Sequence, residues 1–240
     1  MRNPPWSRDE LIVALEFYLR HNPSIPGKGS TEISELSDLL NQMGQKMRGE
    51  TSGTYRNPNG VYLKMMNLRR FDPDYSGRGM QRGNKDEETV WNLYAASPAK
   101  LNNVVASIRS YVQSDAPLPL PEIIGDDEVD GEEGQILTRT HRYRERDTSL
   151  VTRKKKSVLA EHGYLRCEAC DFDFGSRYGK HGDGFIECHH NKPVSELQAG
   201  QRTKLSDLSL VCSNCHRMIH RKRPWLSVKE LSEILVPQSR

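Results

Sequence analysis

Residues 212–220 combine two kinds of metal-ligand spacing in the sequence Cys212-Ser213-Asn214-Cys215-His216-Arg217-Met218-Ile219-His220. The two cysteines are separated by two residues, a gap that lets both sulfur atoms of one turn reach the same tetrahedral cation. The two histidines lie four residues apart, so they share one face of a helix. This stretch therefore predicts a turn that leads into a chelating helix.

A second cysteine pair with the same gap, Cys167 and Cys170, is separated from Cys212 by 41 intervening residues. Four thiolates in this pattern predict one structural Zn²⁺ bound by Cys167, Cys170, Cys212 and Cys215. A redox role needs only one pair, and a disulfide framework does not fit five cysteines in a chain without a secretory signal. The fifth cysteine, Cys188, is interpreted as a small, packed strand residue.

Between the two cysteine pairs, residues 185–194 read as an apolar strand that ends in two histidines. Neighbouring strand side chains point to opposite faces, so His189 can bind a cation while His190 faces a substrate. Strand and helix together would place His189, His216 and His220 around one divalent ion. The alternative is that these histidines are further zinc ligands or satisfied polar residues of a binding finger. Four sulfur ligands already complete the coordination of one zinc ion, which favours a separate site for the histidines.

The pattern from about residue 139 to 225 resembles the HNH, or ββα-metal, nuclease family in its zinc-containing form, similar to the McrA-like restriction endonucleases. The resemblance implies metal-dependent hydrolysis of DNA, with Mg²⁺, Mn²⁺ or another divalent ion as catalytic cofactor. It also implies that His190 is the general base and that the metal ligands are His189, His216 and, as in some members, His220.

The central asparagine of the family pattern aligns with Asp207. In the family this residue braces the loop between strands and helix through backbone bonds. A carboxylate can accept such bonds but cannot donate them. We further expect that Arg217 or Arg221 supplies a positive contact to the scissile phosphate.

The composition predicts more than one domain, because 35% hydrophobic and 28% charged residues are unusual for a single compact globule. The helical pattern of the N-terminal segment and the family resemblance of the C-terminal segment together imply an α+β fold. We expect a mostly helical DNA-recognition domain at 1–113, a flexible acidic linker at 114–136 and a zinc-containing HNH domain at 137–240. The linker contains eight acidic residues and no Lys or Arg. A plain solvated spacer is the preferred interpretation; the alternative is an autoinhibitory segment that mimics DNA.

The segments on both sides of this linker are basic, with net charges of +3 for residues 1–113 and +8 for residues 137–240. Basic domains suit a polyanion, which predicts double-stranded DNA as the partner. In the C-terminal segment we expect a helix that lies across phosphates and carries Arg153, Lys154, Lys155 and Lys156. A nuclear-import signal is the weaker alternative.

The N-terminal segment is predicted to be helical. Ser7 and Glu10 form a capping box for a helix that runs to about Arg20, and a second helix is expected from Glu32 to Met43 with Gly44 as its cap. In the next helix Val61, Met65 and Leu68 face inward. The same helix would project Lys64, Asn67 and Arg69 toward base edges, and Arg78, Arg82 and Lys85 would hold phosphates; the alternative is an ordinary solvated face.

Two N-terminal motifs, residues 6–11 and residues 56–61, also look like the leader domain of McrA-like HNH proteins. That resemblance implies recognition of DNA that carries a modified base or backbone, and so a modification-dependent restriction enzyme. Two other interpretations stay open: a non-catalytic zinc-finger DNA-binding protein, and an HNH nuclease of a mobile element or toxin. The chain has no run of 18 apolar residues, so we expect no membrane partner and a cytoplasmic location. One site per chain predicts a homodimer on DNA.

Overall fold

The computed structural model describes residues 3–49, 53–77, 79, 83, 85–114, 136, 148–192, 203–222 and 224–235. These residues divide into two compact units, one within residues 1–140 and the other from residue 141 onward. Each unit has its own hydrophobic cluster.

The N-terminal unit is mostly helical, as predicted. Its helices are α1 (Arg8–His21), α2 (Thr31–Arg48), α3 (Pro58–Leu68), α4 (Lys85–Tyr94) and α5 (Pro98–Gln113), and a short 3₁₀ turn, Arg69–Phe71, follows α3. The predicted capping box at the start of α1 is present: Glu10 N–H donates to the Ser7 hydroxyl, and Ser7 N–H donates to the Glu10 carboxylate. The predicted end of α1 at about Arg20 lies one residue from the observed end at His21.

Helix α1 lies at the centre of this unit. It contacts α2, α3, α4 and α5, and all five residues from Leu11 to Leu15 are completely buried. A helix that is apolar around most of its circumference must be covered on several sides. The three inward positions predicted for α3, Val61, Met65 and Leu68, are confirmed as buried core residues.

The predicted end of α2 at Gly44 is wrong. The helix continues to Arg48, and Gly49, with φ of 81°, is its C-cap. The extra turn is stabilised because Met47, four residues after the buried Met43, also packs against the core. Gly49 then provides the left-handed conformation that ends the helix, so the sequence contained the right signal one turn further on.

A buried ion pair joins α1 to the segment before α3. The Arg56 guanidinium donates to both carboxylate oxygens of Glu10, at 2.7 and 2.8 Å, and also to the main-chain carbonyls of Pro4 and Pro5. Tyr55 donates its hydroxyl to the same carboxylate, and burial together with that charge raises the pKa of Tyr55 to about 12. These contacts give one residue of each leader-like motif, Glu10 and Arg56, a structural role, since removing one partner of a buried pair leaves an uncompensated charge.

The C-terminal unit contains the helices α6 (Thr148–His162), α7 (Phe174–Tyr178), α8 (Ser213–His220) and α9 (Val228–Ile234), the strands β1 (Glu187–His190) and β2 (Leu208–Val211), and 3₁₀ turns at Gly179–His181 and Leu205–Asp207. The strands pair antiparallel, with His189 opposite Ser209 and His190 opposite Leu208. Helix α8 packs on β1, and α6 contacts both β1 and the 3₁₀ turn before β2. The unit thus has two strands followed by a helix, with α6 against the sheet.

Among the residues that the structure describes, no helix has both the length and the apolar character that crossing a membrane requires.

Candidate metal centres and active site

The four cysteines of the two predicted pairs come together. The sulfur atoms of Cys167, Cys170, Cys212 and Cys215 all lie within 4.8 Å of one another. The Sγ atoms of Cys170 and Cys212 are 3.7 Å apart. Four sulfurs around a zinc at about 2.3 Å would be separated by about 3.8 Å, so this spacing fits a tetrahedral zinc.

Local structure presents these sulfurs to one point. Asp171 N–H donates to the carbonyl of Cys167, and Asp171 has a positive φ of 61°, which closes a tight turn around the first pair. Cys212 is the N-cap of α8, and its Sγ accepts a hydrogen bond from Cys215 N–H. The first pair therefore lies on a turn and the second at a helix start.

The chemistry of the cysteine cluster also favours a cation. Burial together with the neighbouring sulfurs raises the pKa of the buried Cys215 thiol. Four sulfurs this close repel one another as thiolates unless a positive ion compensates them. The donor set and the sulfur spacing thus fit a structural zinc.

A second group of ligands is formed by His189 on β1 and by His216 and His220 on α8. One ring nitrogen of each lies within 4.8 Å of the other two, and the ring centroids are 5.0 to 5.4 Å apart. His189 is buried, whereas the other two are half-buried. Three imidazoles suit a borderline divalent ion and leave further coordination positions for water or substrate.

Two neighbours of this group were not found by the sequence reasoning. Glu187, at the start of β1, has a carboxylate oxygen 2.7 Å from Nδ1 of His216. The indole of Trp225 meets the His220 ring edge-on, with 4.4 Å between centroids. The signal for Glu187 was available, because residues two apart on a strand share a face and Glu187 is two before His189.

His190 lies outside the three-histidine group. It is the last residue of β1, and strand alternation directs its Cβ to the face opposite that of His189. Its exposed fraction is only 3%, equal to that of His189. The His190 side chain is thus almost completely shielded from solvent.

Asp207 braces the connection between the strands. Its carboxylate accepts a hydrogen bond from Lys204 N–H at 3.0 Å and lies 3.1 Å from Nζ of Lys192, and its main-chain carbonyl accepts from Asn191 N–H. The backbone hydrogen bond from Lys204 and the bond from Lys192 hold the pKa of this carboxyl below its ordinary value. The side chain thus ties the end of β1 to the turn that begins β2.

Replacing Asp207 by Asn is expected to lower the free energy of unfolding at neutral pH by less than about 1 kcal/mol. The amide oxygen can still accept the Lys204 N–H, and only the attraction to the half-exposed Lys192 is lost. Asp207→Ala also loses the backbone bond and should cost about 1 kcal/mol more. Urea unfolding of the zinc-loaded chain compares the two; equal losses for Asn and Ala would show that the charge, and not the backbone bond, stabilises this turn.

The basic residues predicted to contact DNA in this unit differ in exposure. Arg217 on α8 is exposed and directly follows His216. On α6, Arg153 and Lys156 are exposed, and Lys154 is half-buried. Lys155 donates to the carbonyl of Gly184 at 2.8 Å, and its burial lowers the pKa of the ammonium group.

The exposure predicted for three residues of the N-terminal unit is not observed. Lys64 is buried at 8% exposure and pairs with the fully buried Glu87, so it does not project from α3. Asn67 is half-buried, and the half-buried Arg69 lies over the Tyr75 ring at 4.9 Å. The expected base-reading face is therefore largely occupied by contacts within the unit. Arg78 and Arg82 lie outside the described residues.

Residues 167–222 match the family model described as HNH endonuclease. The matched segment begins at the first residue of the cysteine cluster and ends just after His220, so it contains both ligand groups and the two strands. No curated protein and no solved structure matches the chain. The C-terminal unit thus contains a segment similar to HNH endonucleases, and this similarity suggests a nuclease that binds DNA.

Proposed function

We propose that this protein is a metal-dependent DNA endonuclease that hydrolyses phosphodiester bonds with its HNH domain. The observation that carries the proposal is the convergence of His189, His216 and His220 inside the segment matched by the family model. A cysteine cluster next to it gives the scaffold a separate zinc site, so the histidines are not needed to hold that zinc.

In the proposed mechanism His190 accepts a proton from the attacking water molecule, while His189, His216 and His220 hold Mg²⁺, Mn²⁺ or another divalent ion. The bound ion would neutralise charge that develops on the phosphate and on the leaving 3′ oxygen. Arg217, which is exposed and follows His216 directly, adds a positive contact to the scissile phosphate. Asp207 keeps the end of β1, and with it His190, in a fixed position through the bonds to Lys204 and Asn191.

The substrate proposed for this site is double-stranded DNA, bound along a basic surface that includes Arg153, Lys154 and Lys156. We extend the proposal to a cytoplasmic, McrA-like restriction enzyme whose N-terminal domain, residues 1–113, recognises modified DNA, with residues 114–136 as linker and residues 137–240 as nuclease domain. Cleavage of both strands would then need two chains on one DNA. The leader-like motifs support the proposed recognition of modified DNA, and the charge distribution supports DNA as the substrate.

Plasmid cleavage tests the proposal in two stages. The zinc-loaded chain is incubated with supercoiled plasmid and Mg²⁺, Mn²⁺, Co²⁺ or Ni²⁺, with EDTA as the control. Cleavage that requires the added ion is expected, and linear product rather than nicked circles would indicate cutting of both strands. DNA binding without cleavage under every ion would instead indicate the non-catalytic zinc-finger alternative.

The second stage compares matched plasmids that carry no modification, cytosine methylation, adenine methylation or phosphorothioate linkages. A preference for one modified plasmid of tenfold or more supports the restriction role. Equal cleavage of all four removes modification dependence while leaving the nuclease proposal intact, and favours the mobile-element or toxin alternative.

A further inference from the structure

Glu187 is the acidic residue closest in sequence to the three-histidine group, and its carboxylate contacts one of the three rings directly. Its Oε2 lies 2.7 Å from Nδ1 of His216, across 29 residues of sequence. The His216 side chain is 14% exposed and that of Glu187 is 38% exposed, so the bond is partly shielded from water. A short, shielded bond of this kind orders the ring more than a bond on the open surface would.

This contact decides which nitrogen of His216 faces the cation. A carboxylate oxygen only accepts hydrogen bonds, so the proton of the bond belongs to Nδ1. In the neutral imidazole the lone pair is then left on Nε2. The second bond of a metal-binding histidine commonly has this role, because it sets the tautomer, aims the ring and makes the ligand nitrogen more basic.

We infer that Glu187 is a positioning residue that orients His216 and raises the affinity of the three-histidine group for a divalent cation. The inference rests on the proposed function, since it assigns a role within the same site. Strand β1 carries both this carboxylate and the ligand His189, two residues apart and on the same face. Strand β1 would thus supply one direct metal ligand, His189, and also Glu187, which orients the helix ligand His216.

The charges around Glu187 are consistent with a carboxylate whose hydrogen-bond partner is His216. Lys155, on α6, is near enough to Glu187 and Cys188 for their charges to act on its pKa, yet its own hydrogen bond goes to the Gly184 carbonyl. Its charge offsets part of the carboxylate's charge without taking the place of His216.

Cation binding by the full-length, zinc-loaded chain tests this role without reference to cleavage. Co²⁺ is titrated into the wild type and the variants Glu187→Ala, Glu187→Gln and Glu233→Gln. The visible absorption of histidine-bound Co²⁺ gives the affinity, and thiolate-to-cobalt charge-transfer bands would reveal exchange at the cysteines. Glu233 on α9 is exposed and pairs with Lys229, so its variant controls for the loss of a negative charge in the same unit.

Glu187→Ala is expected to weaken Co²⁺ binding by about 10- to 100-fold. Glu187→Gln keeps an acceptor oxygen without its charge and should lie between the wild type and the alanine variant, whereas Glu233→Gln should match the wild type. Retained zinc and an unchanged melting temperature would show that the variants fold.

A double substitution separates positioning from direct coordination. If Glu187 acts through His216, then Glu187→Ala has no further effect on Co²⁺ binding in a His216→Ala background. The same weakening in both backgrounds overturns the inference, as does wild-type affinity in Glu187→Ala. If the wild type itself shows no histidine-bound Co²⁺, the proposed metal site fails and the inference fails with it.

Discussion

Replacing Cys212 by Ser is expected to abolish zinc binding and to unfold the C-terminal unit at ordinary temperatures. The serine hydroxyl could still cap α8, but it is a poor zinc ligand, and the remaining three sulfurs would be left close together without full coordination. Binding of structural zinc contributes about 10–16 kcal/mol in small zinc-binding peptides, more than the typical stability of a whole domain. The loss should therefore exceed that of any single core substitution in this unit.

Zinc content per chain and the thermal unfolding curve measure this effect. Cys188→Ala is the matched control, because Cys188 is a buried cysteine of the same unit that lies outside the cluster. The control should retain one zinc and unfold only slightly earlier. A Cys212→Ser protein that still binds one zinc and melts like the control would contradict a structural role for the cluster.

Replacing His190 by Ala is expected to reduce DNA cleavage by about 10²- to 10⁴-fold, the usual contribution of a general base. The three proposed metal ligands, the cysteine cluster and the exposed basic residues remain in place, so zinc content, Co²⁺ binding and DNA binding should persist. Because His190 is almost completely buried, His190→Gln serves as a second variant that fills most of the space.

Single-turnover cleavage rates and a filter-binding assay provide the comparison. His181→Ala, an exposed histidine of the same unit, controls for removal of an imidazole and should cleave at the wild-type rate. If His190→Ala cleaves as fast as the wild type, His190 is not the base and the water must be activated by another group. Equal losses in cleavage and in cation binding would instead place His190 among the residues that hold the metal site together.

The predicted DNA-reading face of α3 shows where sequence reasoning failed. Positions 61, 64, 65 and 68 follow one helical stripe, so the spacing placed Lys64 on the same face as the apolar residues. Lysine is exposed in most proteins, and a buried lysine is acceptable only when it has a partner. That partner, Glu87, lies on another helix, and nothing in the α3 sequence reveals it.

The two ligand groups and the first helix of the N-terminal unit could be predicted because their signals are local. A Cys-x-x-Cys turn, a His-x-x-x-His helix face and a capping box each depend on residues within one or two turns of backbone, whose geometry hardly varies. Only the tertiary structure decided the long-range pairs: Glu187 with His216, Arg56 with Glu10, and Lys64 with Glu87. Their partners are 23 to 46 residues apart, and which charges meet depends on how the packed elements bring distant side chains together.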